Sequence, residues 1–529
     1  MKRLATLLVV VVVLASFVSA CAPPTPEVIE KEVVVEKEVP VTVEVEKEVV
    51  VEKVITPTPP PPGPTEMTVL IRMMDMQDKW FREELVPAFE KEYNCKLNVV
   101  TFDKFPDIEV MVKLEVDTGR KTIGFVKTPQ DEVYPMVALG YMMPLEDIVG
   151  KEEVEKIKDE YVESAWNFGV IEGKTYYIPR KLETYLFFYL KSKVAEAVAN
   201  WETFKDDINA MFKDYNGYGL PAGYEFEADP SEWDYYDLAV FAYYWAHTPG
   251  EDGLTKPRLC HRGKDYGGTS AELYTKIFEM GGTAEDIAAM DTDPVIDMYE
   301  WEAFFIHNNL YDSGMWEESW SGGGIWKALA AGRVYAANHM HQIDSFFIRG
   351  GTHPDMAGYL ADPEDMGLAL VPKGVSLELD ADGKPVREGG HYSNFAGWWW
   401  GVPVTSPDPK LSYELARFIT SAEWHKKESS IFGMMPVRKD IYADLAAAFP
   451  EKWMQEVFDI SLKQFEAGTE PPLLVPTLAS ISQLYRNAWY DICTGKNYAP
   501  DPTKGPDRDY IAGVLSADYA PTVKKLAGK

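Results

Sequence analysis

Cysteine and histidine are scarce in this chain, and positive charge is short for its size. There are 4 cysteines and 8 histidines among 529 residues. No CxxC occurs, so the paired-thiolate pattern of zinc ribbons and dithiol redox centres is missing. HExxH, GxxxxGK[ST] and GxSxG are absent too, which removes the sequence signs of a zincin, a P-loop nucleotide site and a nucleophile-elbow hydrolase. Lys and Arg number 52 against 84 Asp and Glu, a formal net charge of -32. Such a surface repels a phosphate backbone, so no nucleic-acid partner is expected. The apolar run Leu4–Val18 is too short for a comfortable membrane span. These absences leave a glycosidase open, because its two carboxylates need no local signature.

What is present begins with an address. Lys2 and Arg3 precede the apolar run, and Val18-Ser19-Ala20-Cys21 ends it. Small residues before a cysteine resemble a bacterial lipobox, so residues 1–20 read as a lipoprotein signal peptide and Cys21 as the lipidation site. An uncleaved signal anchor is the alternative. Lipid on Cys21 would tether the protein to a bacterial membrane, outside the cytoplasm. Without Cys21, three cysteines remain (Cys95, Cys260 and Cys493), an odd number whose pairing the sequence does not set.

Residues 21–66 read as a stalk. Glu-Lys-Glu-Val-Val-Val-Glu-Lys occurs at Glu30–Lys37 and again at Glu46–Lys53, and Thr56–Pro64 is proline-rich. A coiled coil is disfavoured by irregular valine spacing and by Pro40. Fully extended at ~3.1 Å per residue, Ala22–Glu66 would reach on the order of 140 Å.

The remainder has the 46% hydrophobic share of a globular chain and the length of two or more lobes. Strand, helix and strand follow in turn at Thr68–Met73, Lys79–Tyr93 and Lys96–Phe102. That βαβ opening predicts an α/β lobe with a mostly parallel sheet, whose ligands bind beyond the carboxyl ends of its strands. Asp75 and Gln77 then fall at a cleft edge, or else start the next helix. Leu254–Thr269 has no clear period and reads as a loop insertion. Ser321–Ala331 is expected as a helix, Arg333–His339 and Gly367–Pro372 as strands. Asp380-x-Asp382-Gly383 lacks the closing glutamate of a calcium loop. In HYSNFAGWWWGVPVTSP, from His391 to Pro407, alternation puts Trp398 and Trp400 on one face and Trp399 on the other.

Three stretches carry a family resemblance. One is EGKTYYIP at Glu172–Pro179, leading to Tyr189-Leu190-Lys191. The second is Gly332-Arg333-Val334-Tyr335-Ala336. The third is the tryptophan strand followed by the helix Leu411–Ser421 and the turn GMMPVR at Gly433–Arg438. In this order they resemble the family 1 extracellular solute-binding proteins of ABC importers, related to maltose-binding proteins. The resemblance implies a two-lobed, periplasmic-binding-protein-like α/β fold with three interlobe crossings behind an extended or disordered stalk. It places residues 67–180 and 342–394 in one lobe, and 184–336 and 402–529 in the other.

The role the resemblance implies is capture of a solute, a sugar or oligosaccharide, for an ABC permease in the membrane, with no catalytic residues, cofactor or metal. Aromatic rings cover the apolar faces of sugars, and charged or amide groups bond their hydroxyls. The candidates are therefore Asp75 and Gln77, and Glu183 and Tyr185 at the first crossing. His339, His341 and Gln342 end the second crossing, and Trp398 and Trp399 lie in the third. Met435 and Arg438 form the closing turn, and Trp320 opens a helix. His339-x-His341 lacks a third ligand nearby and is not read as a metal site. A polyamine or peptide receptor, a secreted carbohydrate-active enzyme and a structural surface protein are the alternatives.

Overall fold

The computed structural model describes residues 64–350, 358–394, 396–443, 445–449, 451–470, 473, 475–494 and 507–529. The expected signal peptide, Cys21 and almost all of the expected stalk lie outside these residues. The described part is built on two main sheets, of five and four strands, with two further two-stranded pairings.

The first sheet starts with β1 (Thr65–Ile71), in which Met67, Val69, Leu70 and Ile71 are all buried. Burial on both faces is what a parallel strand between helix layers needs. Helix α1 begins at Asp75 and runs on to Tyr93 through a π turn at Phe81–Leu85. Asn94 ends it in the left-handed conformation, φ 48°, which asparagine tolerates well. Then come β2 (Cys95–Thr101) and the wholly buried β3 (Ile123–Pro129), both parallel to β1. Helix α2 (Gln130–Ala138) follows β3 directly. The expected βαβ opening is therefore present, with strand ends shifted by a few residues.

Strand β4 (Tyr177–Glu183) closes the far edge of this sheet, and β5 (Tyr185–Leu190) opens the second. Thr184 alone separates them. The second sheet adds β6 (Leu259–Cys260), β7 (Ala336–His341) and β8 (Met366–Ala369) in the order β8-β5-β7-β6. Helix α3 (Gly267–Glu279) lies between β6 and β7 in the chain. The stretch expected as a loop, Leu254–Thr269, thus supplies a strand and the start of a helix.

The chain returns to the first sheet through β9 (Ser393–Asn394) and β10 (Ala396–Gly401). Strand β10 inserts between β3 and β4, antiparallel to both, giving the order β2-β1-β3-β10-β4. Both faces of the tryptophan run are covered. Trp400 stacks on Phe125 with centroids 4.9 Å apart, and Trp399 stacks on Phe168 at 4.4 Å. Gly397 permits the close pairing, since a Cβ there would stand 2.7 Å from the Lys181 carbonyl.

Two expectations about the lobes are corrected by these pairings. β7 and β8 both pair with β5, so the segment from 336 to 342 does not cross between sheets, and β8 within 342–394 belongs to the second sheet. The reason is that β7 sits between β5 and β6, an interior position fully occupied by its own sheet. Residues 402–529 are shared rather than confined to one lobe. Helix α4 (Pro409–Ile419) lies on β3 and β10, whereas α5 (Leu478–Cys493) packs on α3 and on the helix Asp293–His307. The passages are at Thr184, between β9 and β10, and between Arg438 and Lys452, where Lys452–Ala467 packs on β5 and β8. Cys95, Cys260 and Cys493 are buried, and the Cys493 thiol donates to the Tyr299 carbonyl.

Candidate functional site

The carboxyl ends of β3 and β4 and the amino end of β10 converge where the two sheets meet. Lys127, the one cation in the apolar strand IGFVKTP, turns its ammonium over the Trp398 ring, 3.8 Å from the centroid. It also donates to the Arg72 carbonyl. Burial, with Arg180 and Lys181 nearby, holds its pKa well below the usual lysine value. The Trp398 edge meets Phe105 at 5.5 Å, and the Arg72 guanidinium lies over that phenyl ring at 5.3 Å.

Glu183 ends β4 in an ion pair with Lys181. Burial raises its pKa, but Lys181 and His341 outweigh that and pull the carboxyl down to about 2. His341, at the end of β7, comes within 3.9 Å of Glu183 from the other lobe. Its ring lies against Tyr185 at 4.4 Å, and burial pushes its pKa down to about 3, so the imidazole is neutral. Its Nδ1 is buried without a hydrogen-bond partner.

Helix α2 carries Asp131 and Glu132 in its first turn, both buried. Burial lifts Asp131 to about 6, and burial with Asp131 and Glu109 lifts Glu132 to about 8. The Asp131 Oδ1 has no partner. The second lobe brings Gly267, at the start of α3, against this wall. A Cβ on Gly267 would be 2.8 Å from the Phe105 ring and 3.5 Å from Asp131 Oδ2. Tyr266 beside it is raised to about 12 by burial, against the pull of Arg262 from its own lobe and Arg72 from the other. Arg262 itself is fixed by Glu272 at 2.5 Å, Asp344 at 2.8 Å and the His339 carbonyl at 2.8 Å.

Of the residues singled out in the sequence, Glu183, Tyr185, His341 and Trp398 come together at this seam, and Gln342 lies beside them, bonded to Thr184 and Leu182. The others do not. Asp75 is exposed at the first turn of α1. Gln77 is buried within the first lobe, donating to Glu428 at 2.8 Å. Trp320 lies under the Arg333 guanidinium at 4.6 Å and donates to Glu318. His339 adopts φ 55° and turns inward to Glu279, 2.7 Å away. Trp399 donates to the Ala165 carbonyl at 2.9 Å on the opposite face of the sheet. Met435 is buried in a bridge to Leu182, and Arg438 pins its turn through Glu160 at 2.7 Å and Asp440 at 2.9 Å. Cys21 is outside the described residues. Sequence reasoning missed Lys127, Phe105, Asp131 and Gly267. A lone lysine in an apolar strand and paired acids after Pro129 were the available signals.

Among the described residues no group of three or more His, Cys, Asp or Glu is placed to hold a metal, and no helix is long and apolar enough to cross a membrane. A separate cavity of about 230 Å³ lies beside β8, lined by Tyr189, Arg349 and Trp453, away from the seam.

Two α/β lobes joined by three passages around one seam define the two-lobed binding-protein architecture. Residues 84–456 match the model of the bacterial extracellular solute-binding proteins, and the chain belongs to that family. No curated protein matches it by sequence. Solved structures share its fold at low identity. Maltose-bound MalE3 of T. maritima aligns with a TM-score of 0.61 and 14% identity, over 87% of this chain and 100% of that one. A Thermotoga lettingae solute-binding protein bound with α-D-tagatose gives 0.62 and 16%, over 88% and 100%. The Listeria monocytogenes protein Lmo0181 in complex with cycloalternan gives 0.59 and 15%, over 88% and 99%.

Proposed function

We propose that the protein captures a sugar or oligosaccharide between its lobes and presents it to the permease of an ABC importer, tethered to the membrane by lipid on Cys21. The observation that carries the ligand class is the pairing of Trp398 with Lys127 at the seam, with the unpartnered Asp131 oxygen on the helix that directly follows the strand of Lys127. An aromatic wall offers a surface to a pyranose face. The ammonium and carboxylate offer charged donors and acceptors to hydroxyl groups. The maltose, tagatose and cycloalternan complexes of the structurally similar proteins support the same class.

Residues 67–183 with 396–438 form one lobe in this reading, and 185–394 with 452–529 the other. Bound ligand adds contacts to both and favours their closure. No chemical step is part of the function. Isothermal titration of the protein with mono- and oligosaccharides, polyamines and peptides tests it. Binding of a sugar that is recovered unchanged supports the proposal. Binding of polyamines alone overturns the ligand class, and hydrolysis of the sugar overturns the receptor role. Metabolic labelling with a fatty acid, compared between the native chain and Cys21→Ser, tests the anchor.

A further inference from the structure

Thr184 is the single residue between β4 and β5, so the first passage between the lobes turns on it. Its polar groups are all held. The Thr184 N–H donates to Gln342 Oε1 at 3.0 Å, and the Gln342 N–H donates to the Thr184 carbonyl at 3.1 Å. The Thr184 hydroxyl donates to Ser393 Oγ at 3.3 Å, and the same Ser393 oxygen accepts the Tyr185 N–H at 3.1 Å. The other end of the Gln342 amide, Nε2, donates to the Leu182 carbonyl at 3.4 Å. Leu182 belongs to β4 of the first sheet, whereas Gln342 directly follows β7 of the second. That bond therefore spans the lobes. Thr184 and Gln342 are fully buried, so no water stands by to replace a broken bond. Both ends of the Gln342 amide are engaged with backbone, and the side chain is fully buried.

We propose that Gln342 is a positioning residue, a clamp on the Thr184 crossing that sets how much of the protein is closed before any ligand arrives. Rotation of one lobe about Thr184 moves Leu182 and β4 against β7. An amide bonded at once to the Leu182 carbonyl and the Thr184 N–H loses at least one of the two when the lobes part. The net worth of one such bond corresponds to about three- to tenfold in the ratio of closed to open protein. A smaller closed fraction weakens every ligand by one common factor, whatever its chemistry. The affinity arm of this inference rests on the capture reading above, but the distance arm does not.

The test uses the full chain with Cys21→Ser and spin labels at Leu139→Cys and Tyr218→Cys, positions 43% and 57% exposed on the first and second lobes. Cys95, Cys260 and Cys493 are buried and escape labelling. Inter-label distances are measured by pulsed electron resonance, without ligand, for native Gln342, Gln342→Ala and Gln342→Glu. The glutamate keeps an acceptor for Thr184 and lacks the donor to Leu182. Both variants are expected to shift the distribution toward longer distances. If the alanine variant does not fold, the glutamate variant carries the test. An unchanged distribution in the folded variants overturns the proposal. Where sugars bind, the dissociation constants of two different sugars should rise by one shared factor. Factors that differ between them would show the amide touching ligand and overturn it as well. If no sugar binds, the capture reading fails while the distance arm still decides the clamp.

Discussion

The Lys127 ammonium lies 3.8 Å above the centre of the Trp398 ring, with one lysine proton given to the Arg72 carbonyl. This places a desolvated cation and a broad aromatic surface side by side, next to Phe105, which Gly267 of the second lobe approaches. A buried cation against an aromatic face is held by the ring quadrupole and leaves its remaining protons for acceptors.

Trp398→Ala removes that wall without opening the core of the sheet, because Trp398 sits at the seam. Sugar affinity is expected to fall by about 10–100-fold, as for a buried aromatic anchor. Titration calorimetry checks it. Unchanged affinity would place the sugar elsewhere.

Trp399→Ala should do the opposite. Its ring is fully buried against Phe168, and its Nε1 is bonded to the Ala165 carbonyl. The expected cost is about 3–5 kcal/mol of folding stability, from the cavity and lost contacts. Denaturant unfolding measures that loss, and the fraction still folded should bind sugar with native affinity. Weaker binding by that fraction would return Trp399 to the ligand wall.

Gly267→Ala adds one methyl group where the lobes touch, 2.8 Å from the Phe105 ring. Overpacking of this kind costs roughly 1–3 kcal/mol and bears on the closed arrangement. Apparent sugar affinity should drop by roughly 5- to 150-fold with the melting temperature of the free protein nearly unchanged. Native affinity in the variant would mean that closure does not need this contact.

Glu132 makes stability depend on pH. Burial, with Asp131 and Glu109, raises its folded pKa to about 8 from an ordinary 4.5. The folded state therefore holds the proton more tightly than the unfolded chain. That contribution is complete below the unfolded value and disappears as pH rises through the folded one. The melting temperature should fall between pH 4.5 and about 8, and Glu132→Gln should flatten that fall. Equal slopes in the two proteins would rule Glu132 out as the source.

The strands of the first lobe were legible because their apolar runs and turns are local signals. So was the alternation of Trp398, Trp399 and Trp400, borne by the contacts of each ring. What period does not encode is which face is covered by which distant segment. Trp399 looked as available as Trp398 until Phe168 closed over it. His339 and His341 are two residues apart and would share a face in a regular strand. The left-handed backbone at His339 departs from that geometry, and its ring turns into the core. The Gly332–Ala336 stretch led into an interior strand, and only its pairing with β5 distinguishes that from a crossing. Asp131 and Gly267 become neighbours through the meeting of the lobes, a relation with no trace in local composition.

Strand β10 occupies the middle of the first sheet, between β3 and β4, yet it arrives in the chain after every strand of the second sheet. During synthesis, β3 and β4 have no partner for each other until the entire intervening lobe has emerged. The loop closure that joins them is long-range and therefore slow. A fragment ending anywhere before Gly401 lacks the keystone of its first sheet. The unit of folding is thus the two lobes together, and neither can be completed from its own stretch of chain alone.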